Sequence, residues 1–274
     1  MSETWLVSNL RAARARAYAR VVGPNREPSW VLFDVTLPLL TVAAYAYIYK
    51  YMNAAQEFVG FVILGGAMTA FWLNVLWSMA SQFYWEKETG NLSLFLIAPI
   101  SRMSILAGMA VGGMFATTLR AGSTMIIGIF VFGVAFSLSD PLMLVLIFCV
   151  TLVALYGMGM MFASLYLMFG RDAWHLSNLM TEPIYLVSGF YFPVRQLGFW
   201  TAVGASVVPI TLGLDAFRQL FFPSTGEQYA FLSPTVELLI LVVLSVVFLI
   251  LSKYSLDYME RLGKESGRLT LRWQ

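Results

Sequence analysis

Six long apolar segments punctuate the chain, near residues 31–49, 57–80, 104–136, 141–169, 173–192 and 235–256. A bilayer crossing needs about 20 mostly apolar residues in a helix. The pattern therefore predicts an all-α polytopic membrane protein with six transmembrane helices, and an even number of spans puts both termini on one side. The third and fourth segments are longer than a bilayer requires, so tilt or a cytoplasmic extension must absorb the excess. Gly108 and Gly112 form a small-xxx-small pair in the third segment, a spacing that permits close helix contact in lipid.

The polar stretches between these segments also carry a pattern. Ahead of the first span, Leu6, Leu10, Ala13, Ala17 and Val21 recur at helical spacing, with Arg14 on one side of the stripe and Arg16 and Arg20 on the other. This predicts an amphipathic interfacial segment over 1–29 whose arginines snorkel to lipid headgroups. Gly23, Pro24 and Pro28 are expected to break it. The six-helix domain then occupies 30–258, and 259–274 is a basic tail. The stretch 193–234 is too apolar for an ordinary loop, with Phe199, Trp200, Val203, Val207, Val208, Ile210, Leu212 and Leu214. Pro193, Pro209, Pro223 and Pro234 cut it into pieces too short to span. Non-helical backbone at membrane depth must be sheltered by protein, so residues 193–222 are expected to form outer re-entrant helices. A continuous seventh span over 196–214 would carry the C-terminal basic cluster outside and is set aside.

Composition agrees with a hydrocarbon solvent. Of 274 residues, 59% are hydrophobic and 12% charged, and the mean hydropathy is +0.75; soluble domains carry about 25% charged residues. A net charge of +2 gives no electrostatic reason to expect nucleic acid. The placement of charge says more. Arg11, Arg14, Arg16, Arg20, Arg26, Lys87, Arg102, Arg171, Lys253, Arg261, Lys264, Arg268 and Arg272 fall on one side of the six spans, and only Lys50, Arg195 and Arg218 on the other. The positive-inside rule then puts both termini in the cytoplasm, with the protein multi-pass in the cell membrane. Residues 1–29 hold five arginines and no apolar core long enough for a cleavable signal, so the first apolar run is expected to stay as a span.

Few residues suggest chemistry. One cysteine, Cys149, and one histidine, His175, make no metal site. There is no G-x-S-x-G elbow, no H-E-x-x-H and no G-x-x-x-x-G-K-[ST] phosphate loop. No cofactor is expected on this chain, and no catalytic role. Three charges sit near apolar segments. Arg120 lies inside the third and Glu182 midway along the fifth, while Asp34 at the edge of the first reads as interfacial. Charges at membrane depth are costly and usually pair or line a watery path. Arg120 and Glu182 therefore either lie in a translocation path or hold spans three and five together as an ion pair.

Two segments resemble a known family. The first is Glu86-Lys87-Glu88-Thr89-Gly90-Asn91-Leu92-Ser93-Leu94-Phe95-Leu96-Ile97-Ala98-Pro99-Ile100-Ser101-Arg102, between spans two and three. The second is Ser188-Gly189-Phe190-Tyr191-Phe192-Pro193, followed by Val208-Pro209-Ile210-Thr211-Leu212-Gly213-Leu214-Asp215-Ala216-Phe217-Arg218. Together they resemble the permease subunits of type-2 ABC exporters, in which a six-span permease works with a separate ATPase to export drugs, lipids or lipid-linked glycans.

The resemblance implies that 84–98 forms a cytoplasmic coupling helix carried by Glu86, Lys87, Glu88, Gly90, Leu92 and Pro99. Trp85, Leu92, Phe95 and Leu96 would pack, and Glu86, Lys87 and Glu88 would face the partner or water. Gly90 allows a turn without a Cβ penalty, and Pro99 stops the element running into span three. The family usually has Thr after this glycine and an acid two residues on; here stand Asn91 and Ser93, so no salt bridge is assigned through Ser93. Gly189, Pro193, Pro209 and Arg218 would shape the outer gate and re-entrant segment. The resemblance further implies a permease dimer, of identical or homologous chains, with two ATPase copies that bind ATP and Mg. The cargo would be an amphipathic or lipophilic drug or lipid, moved by alternating access. A lipid-linked oligo- or polysaccharide is the alternative cargo within the family. An ATPase-independent secondary transporter is the alternative outside it, although no inverted repeat is evident.

Overall fold

The computed structural model describes residues 2–169 and 171–265. Among these, all regular structure is helical. The helices are α1 (Ser2–Asn25), α2 (Pro28–Tyr51), α3 (Gln56–Leu73), α4 (Gln82–Glu88), α5 (Leu92–Ile97), α6 (Arg102–Phe132), α7 (Pro141–Phe169), α8 (Arg171–Val187), α9 (Phe199–Ala205), α10 (Pro209–Phe221), α11 (Pro223–Tyr229) and α12 (Pro234–Glu265). A π-helical stretch, Asn74–Ala80, joins α3 to α4, and a 3₁₀ turn, Val194–Leu197, precedes α9.

The long helices alternate in direction. At one end of the bundle, the Gln56 amide donates to the Gly133 carbonyl (2.7 Å), the Ser139 N–H to the Leu220 carbonyl (3.0 Å) and the Tyr49 hydroxyl to the Tyr191 carbonyl (3.1 Å). At the other end, Arg102 pairs with Glu260 (2.8 Å), and Arg16 pairs with Glu86. The Asn9 carboxamide oxygen there accepts from the Ser101 N–H (2.7 Å) and the Ser104 hydroxyl (3.0 Å). The first turns of α1 and the last of α12 thus share one end, as an even number of passes requires.

Among the described residues, five helical stretches are long and apolar enough to cross a membrane: Val31–Tyr51, Gln56–Glu88, Arg102–Phe132, Pro141–Tyr166 and Pro234–Glu265. The chain is an all-α polytopic membrane protein. The expected fifth span, 173–192, is α8, with 17 residues and a length of about 25 Å at 1.5 Å per residue. It is shorter and more polar than the other five. It reaches the far end by handing over to the buried turn Ser188–Val194. The short helices α9 and α10 meet at 115°, so 196–214 is not one straight span.

Close contacts are made where side chains vanish. A Cβ on Gly65 of α3 would overlap the Phe190 carbonyl oxygen, one on Gly66 would overlap Val42 of α2, and one on Gly60 would strike the Phe222 ring. The Gly108/Gly112 pair is also used, but by α1, since a Cβ at either would run into the backbone of Ala13 or Ala17. The arginine-bearing helix therefore docks along the first part of α6 through Ala13 and Ala17, and leaves Leu6 and Leu10 exposed. α1 also runs on through Gly23 and Pro24 to Asn25, so the break falls at residues 26–27 rather than at Gly23. The basic tail at 259–274 lies mostly outside the described residues.

Candidate functional site

Three sites carry the residues that the sequence singled out. The first is the expected coupling segment, which is two short helices rather than one. Gly90 sits between them at φ +80°, a conformation open to glycine without a Cβ clash. The Asn91 amide donates to the Thr89 hydroxyl (3.1 Å) across the same turn. Residues Ala98 and Ser101 are extended on either side of Pro99, and this separates α5 from α6.

The packing of this segment inverts the expected pattern. Glu86 and Lys87 are buried, while Trp85, Leu94 and Ile97 are exposed, Ile97 by 79%. Glu86 accepts from Arg16 of α1 and from the Gln82 amide (2.7 Å). The Arg16 guanidinium also lies over the Phe95 ring, 4.9 Å from its centroid, a cation–π contact. Leu92 is buried as expected and Phe95 half-buried. Glu88 is half-buried. The side chains of Ser93 and Leu96 lie outside the described residues. Glu86 serves inward because the basic helix α1 lies beside it. The outward face is left apolar.

The second site surrounds Arg120, which was expected inside the third span, either on a translocation path or paired with Glu182. Its carboxylate partner is instead Asp34 of α2, and the Asn25 amide oxygen accepts a longer bond (3.4 Å). Glu182 is exposed on α8, so the proposed brace between spans three and five does not form within the chain. The reason is geometric. α6 is about 46 Å long by its rise, and α1 covers the part between Arg102 and Arg120. From Ala121 to Phe132 α6 has no charge. Arg120 thus sits where the charged part of α6 meets its apolar part, beside the start of α2. Asp34 was read in the sequence as interfacial and was not matched with Arg120. The signal that finds it is the need of a sheltered guanidinium for an acid at the same depth.

A cavity of about 500 Å³ opens at this junction, lined among others by Arg20, Glu27, Phe33, Asp34, Asn74 and Arg120. The π stretch forms part of its wall, where the Asn74 amide oxygen accepts from the Tyr156 hydroxyl (2.9 Å). A π insertion re-aims side chains within a helix, and here it lets Asn74 meet α7.

The third site is the outer segment. Gly189 adopts φ +69° and would bring a Cβ 2.9 Å from the Phe192 carbonyl oxygen. Pro193 is buried and extended, and Pro209 opens α10 at its first turn, a position where its missing N–H costs nothing. Arg218 is fully buried. Its guanidinium donates to the carbonyls of Gly189, Phe190 and Phe192 and lies over the Phe61 ring, 5.3 Å from its centroid. Asp215, one turn earlier, accepts from the Phe231 N–H (2.8 Å) and the Gln219 amide (3.2 Å). Arg218 therefore braces the turn after α8 against α10 and α3. Periodicity shows only an amphipathic helix there, so this role was not legible.

Comparison with known proteins agrees with this layout. Residues 25–222 match the model of the ABC-2 type transporter family. A 140-residue stretch is 27% identical to the probable multidrug ABC transporter permease YbhR of Escherichia coli strain K12, and equally to that of strain O157:H7. The match covers 50% of this chain and 36% of each relative, so the chain spans about a third of the length of those relatives.

Proposed function

Because the chain belongs to the ABC-2 type transporter family, we propose that it is a permease subunit of an ATP-driven exporter. It works as a dimer with two copies of a separate ATPase, which bind the ATP and Mg. It lies in the cell membrane with α1 and the end of α12 on the cytoplasmic side, supported by the surplus of basic residues at that end of the bundle. Six passes are counted when α8 and its buried turn are taken as the fifth.

The observation that carries this reading is the apolar outward face of the α4–α5 segment. Trp85, Leu94 and Ile97 have no business in water at the charged end of the molecule unless a partner covers them. Behind them, Arg16–Glu86 joins the segment to α1, and Asn9 joins α1 to the start of α6. A push on α4–α5 would therefore move α1 and α6 together. Closure of the ATPase dimer would drive the permease from inward- to outward-facing. The cargo is an amphipathic drug or lipid, in keeping with the multidrug permease name of the relatives.

The test is ATP hydrolysis by the reconstituted complex with Leu94→Asp and Ile97→Asp permeases. The reading expects a charge on that face to break the complex and abolish permease-stimulated hydrolysis. Full stimulation by both variants contradicts it. A chain that transports with no ATPase present favours the secondary transporter instead.

A further inference from the structure

The cavity at the α1, α2, α3 and α6 junction has an uneven charge account. Arg120 is neutralised by Asp34, and Arg16 nearby by Glu86. Arg20, which lines the cavity, has no ion-pair or hydrogen-bond partner among the described residues. Its Cβ is pressed against the α6 backbone, where one on Gly112 would come within 2.8 Å. The side chain lines the cavity, and burial, with Arg120 and Arg16 adding to the effect, lowers its pKa from the usual arginine value. Such a cation gains from an anion that brings its own charge. Glu27, also in the lining, precedes α2 but caps none of its N–H groups, and it too has no ion-pair or hydrogen-bond partner among the described residues. Asn74, Ser78 and Thr117 add neutral polar groups to the wall, and Pro38, Ala70, Leu73 and Trp77 supply apolar surface. Phe33 and Leu37 at its margin are 58% and 56% exposed and continue into the outward face of α2 with Leu40.

We propose that this cavity holds the head of a resident zwitterionic membrane phospholipid. Its phosphate lies on Arg20, its ammonium lies towards Glu27, and its acyl chains lie outside along Phe33 and Leu37. A guanidinium presents a planar pair of N–H donors to two phosphate oxygens. The volume is within the ~300–1,000 Å³ range of small-ligand sites, which suits a headgroup and not a whole lipid. A soluble phosphate would leave the apolar margin unused. A head with only negative charge would meet Glu27 unfavourably. The lipid would fasten the junction of α1 with α2 on the chain itself, so binding does not depend on the ATPase.

The experiment is photolabelling of the full chain in nanodiscs by phosphatidylethanolamine with a photoreactive acyl chain. Arg20→Gln is expected to lower labelling by about tenfold, the loss of one charge-assisted contact, and Arg20→Lys to restore much of it. Arg11→Gln, on an exposed arginine of the same helix, leaves labelling unchanged. Glu27→Gln, on an exposed side chain, removes the preference for phosphatidylethanolamine over phosphatidylglycerol competitor and keeps the fold testable should Arg20→Gln misfold. Equal labelling of the Arg20→Gln protein and wild type overturns the proposal. So does displacement by millimolar inorganic phosphate, equal competition by diacylglycerol, or a headgroup preference that Glu27→Gln does not change.

Discussion

The ion pair between Arg16 and Glu86 predicts that these residues act as an internal brace and not as a contact with another subunit. The Glu86 side chain is 8% exposed and that of Arg16 25%. Removing Arg16 leaves a carboxylate nearly out of water with the Gln82 amide as its one side-chain partner among the described residues. Breaking a fully buried pair costs about 3–5 kcal/mol, and exposed pairs are worth about 0–1 kcal/mol. The partial exposure of Arg16 sets the expected cost between these, about 2 kcal/mol. The quantity affected is the local opening of α1 from α4 and α6, which hydrogen exchange measures. Arg16→Gln should raise exchange of the α1 amides facing α6 by about 30-fold, since each 1.4 kcal/mol is tenfold. Glu86→Gln should raise it by a similar factor. The double variant should be no worse than the worse single one, because two neutral amides replace the pair. Single effects that multiply in the double variant, or an α1 whose exchange does not change, would refute the brace.

Other expectations follow from the same packing. Gly65→Ala should prevent recovery of folded protein by size-exclusion chromatography, because the new methyl would occupy the position of the Phe190 carbonyl oxygen. Arg218→Met should lower the apparent Tm and expose the 188–194 turn to protease by leaving three carbonyls without their donor, at about 3 kcal/mol or more; an unchanged melting curve contradicts this. Asp34→Asn should destabilise by isolating Arg120, whereas Asp34→Leu with Arg120→Met should recover much of the loss, since an apolar pair can replace a sheltered ion pair. A double variant less stable than Asp34→Asn alone would show the pair to be net stabilising.

Much of this architecture was legible in the sequence because it is written in long-range averages. Apolar runs located the five long spans, and prolines cut the outer stretch where α10, α11 and α12 begin. Gly90 and Pro99 marked a turn and a stop that the backbone adopts. The individual charges were not legible. Glu86 and Lys87 were expected to face outward, and for Glu86 it is the presence of Arg16 on α1 alongside that turns it inward. Arg120 looks mid-membrane because an apolar run cannot show that its first half is sheathed by another helix. Its partner Asp34 lies 86 positions earlier in the chain, and pairing across such a separation is set by how α2 leans on α6. Arg218 shows only as a polar residue in a short helix, while its work is to hold three carbonyls of a turn almost thirty residues away.

The central claim is that an ATPase covers the face of Trp85, Leu94 and Ile97. The most direct measurement is site-specific photo-crosslinking in membranes that contain the permease and the P-loop ATPase encoded nearest to it. A photoreactive residue is placed at Ile97 and, as control, at Trp200, which is 82% exposed in the outer segment. The account predicts a crosslink to the ATPase from position 97 that changes in yield with ATP, and none from position 200. An ATPase crosslink from position 200 and none from 97 would contradict the proposed orientation and the coupling role together.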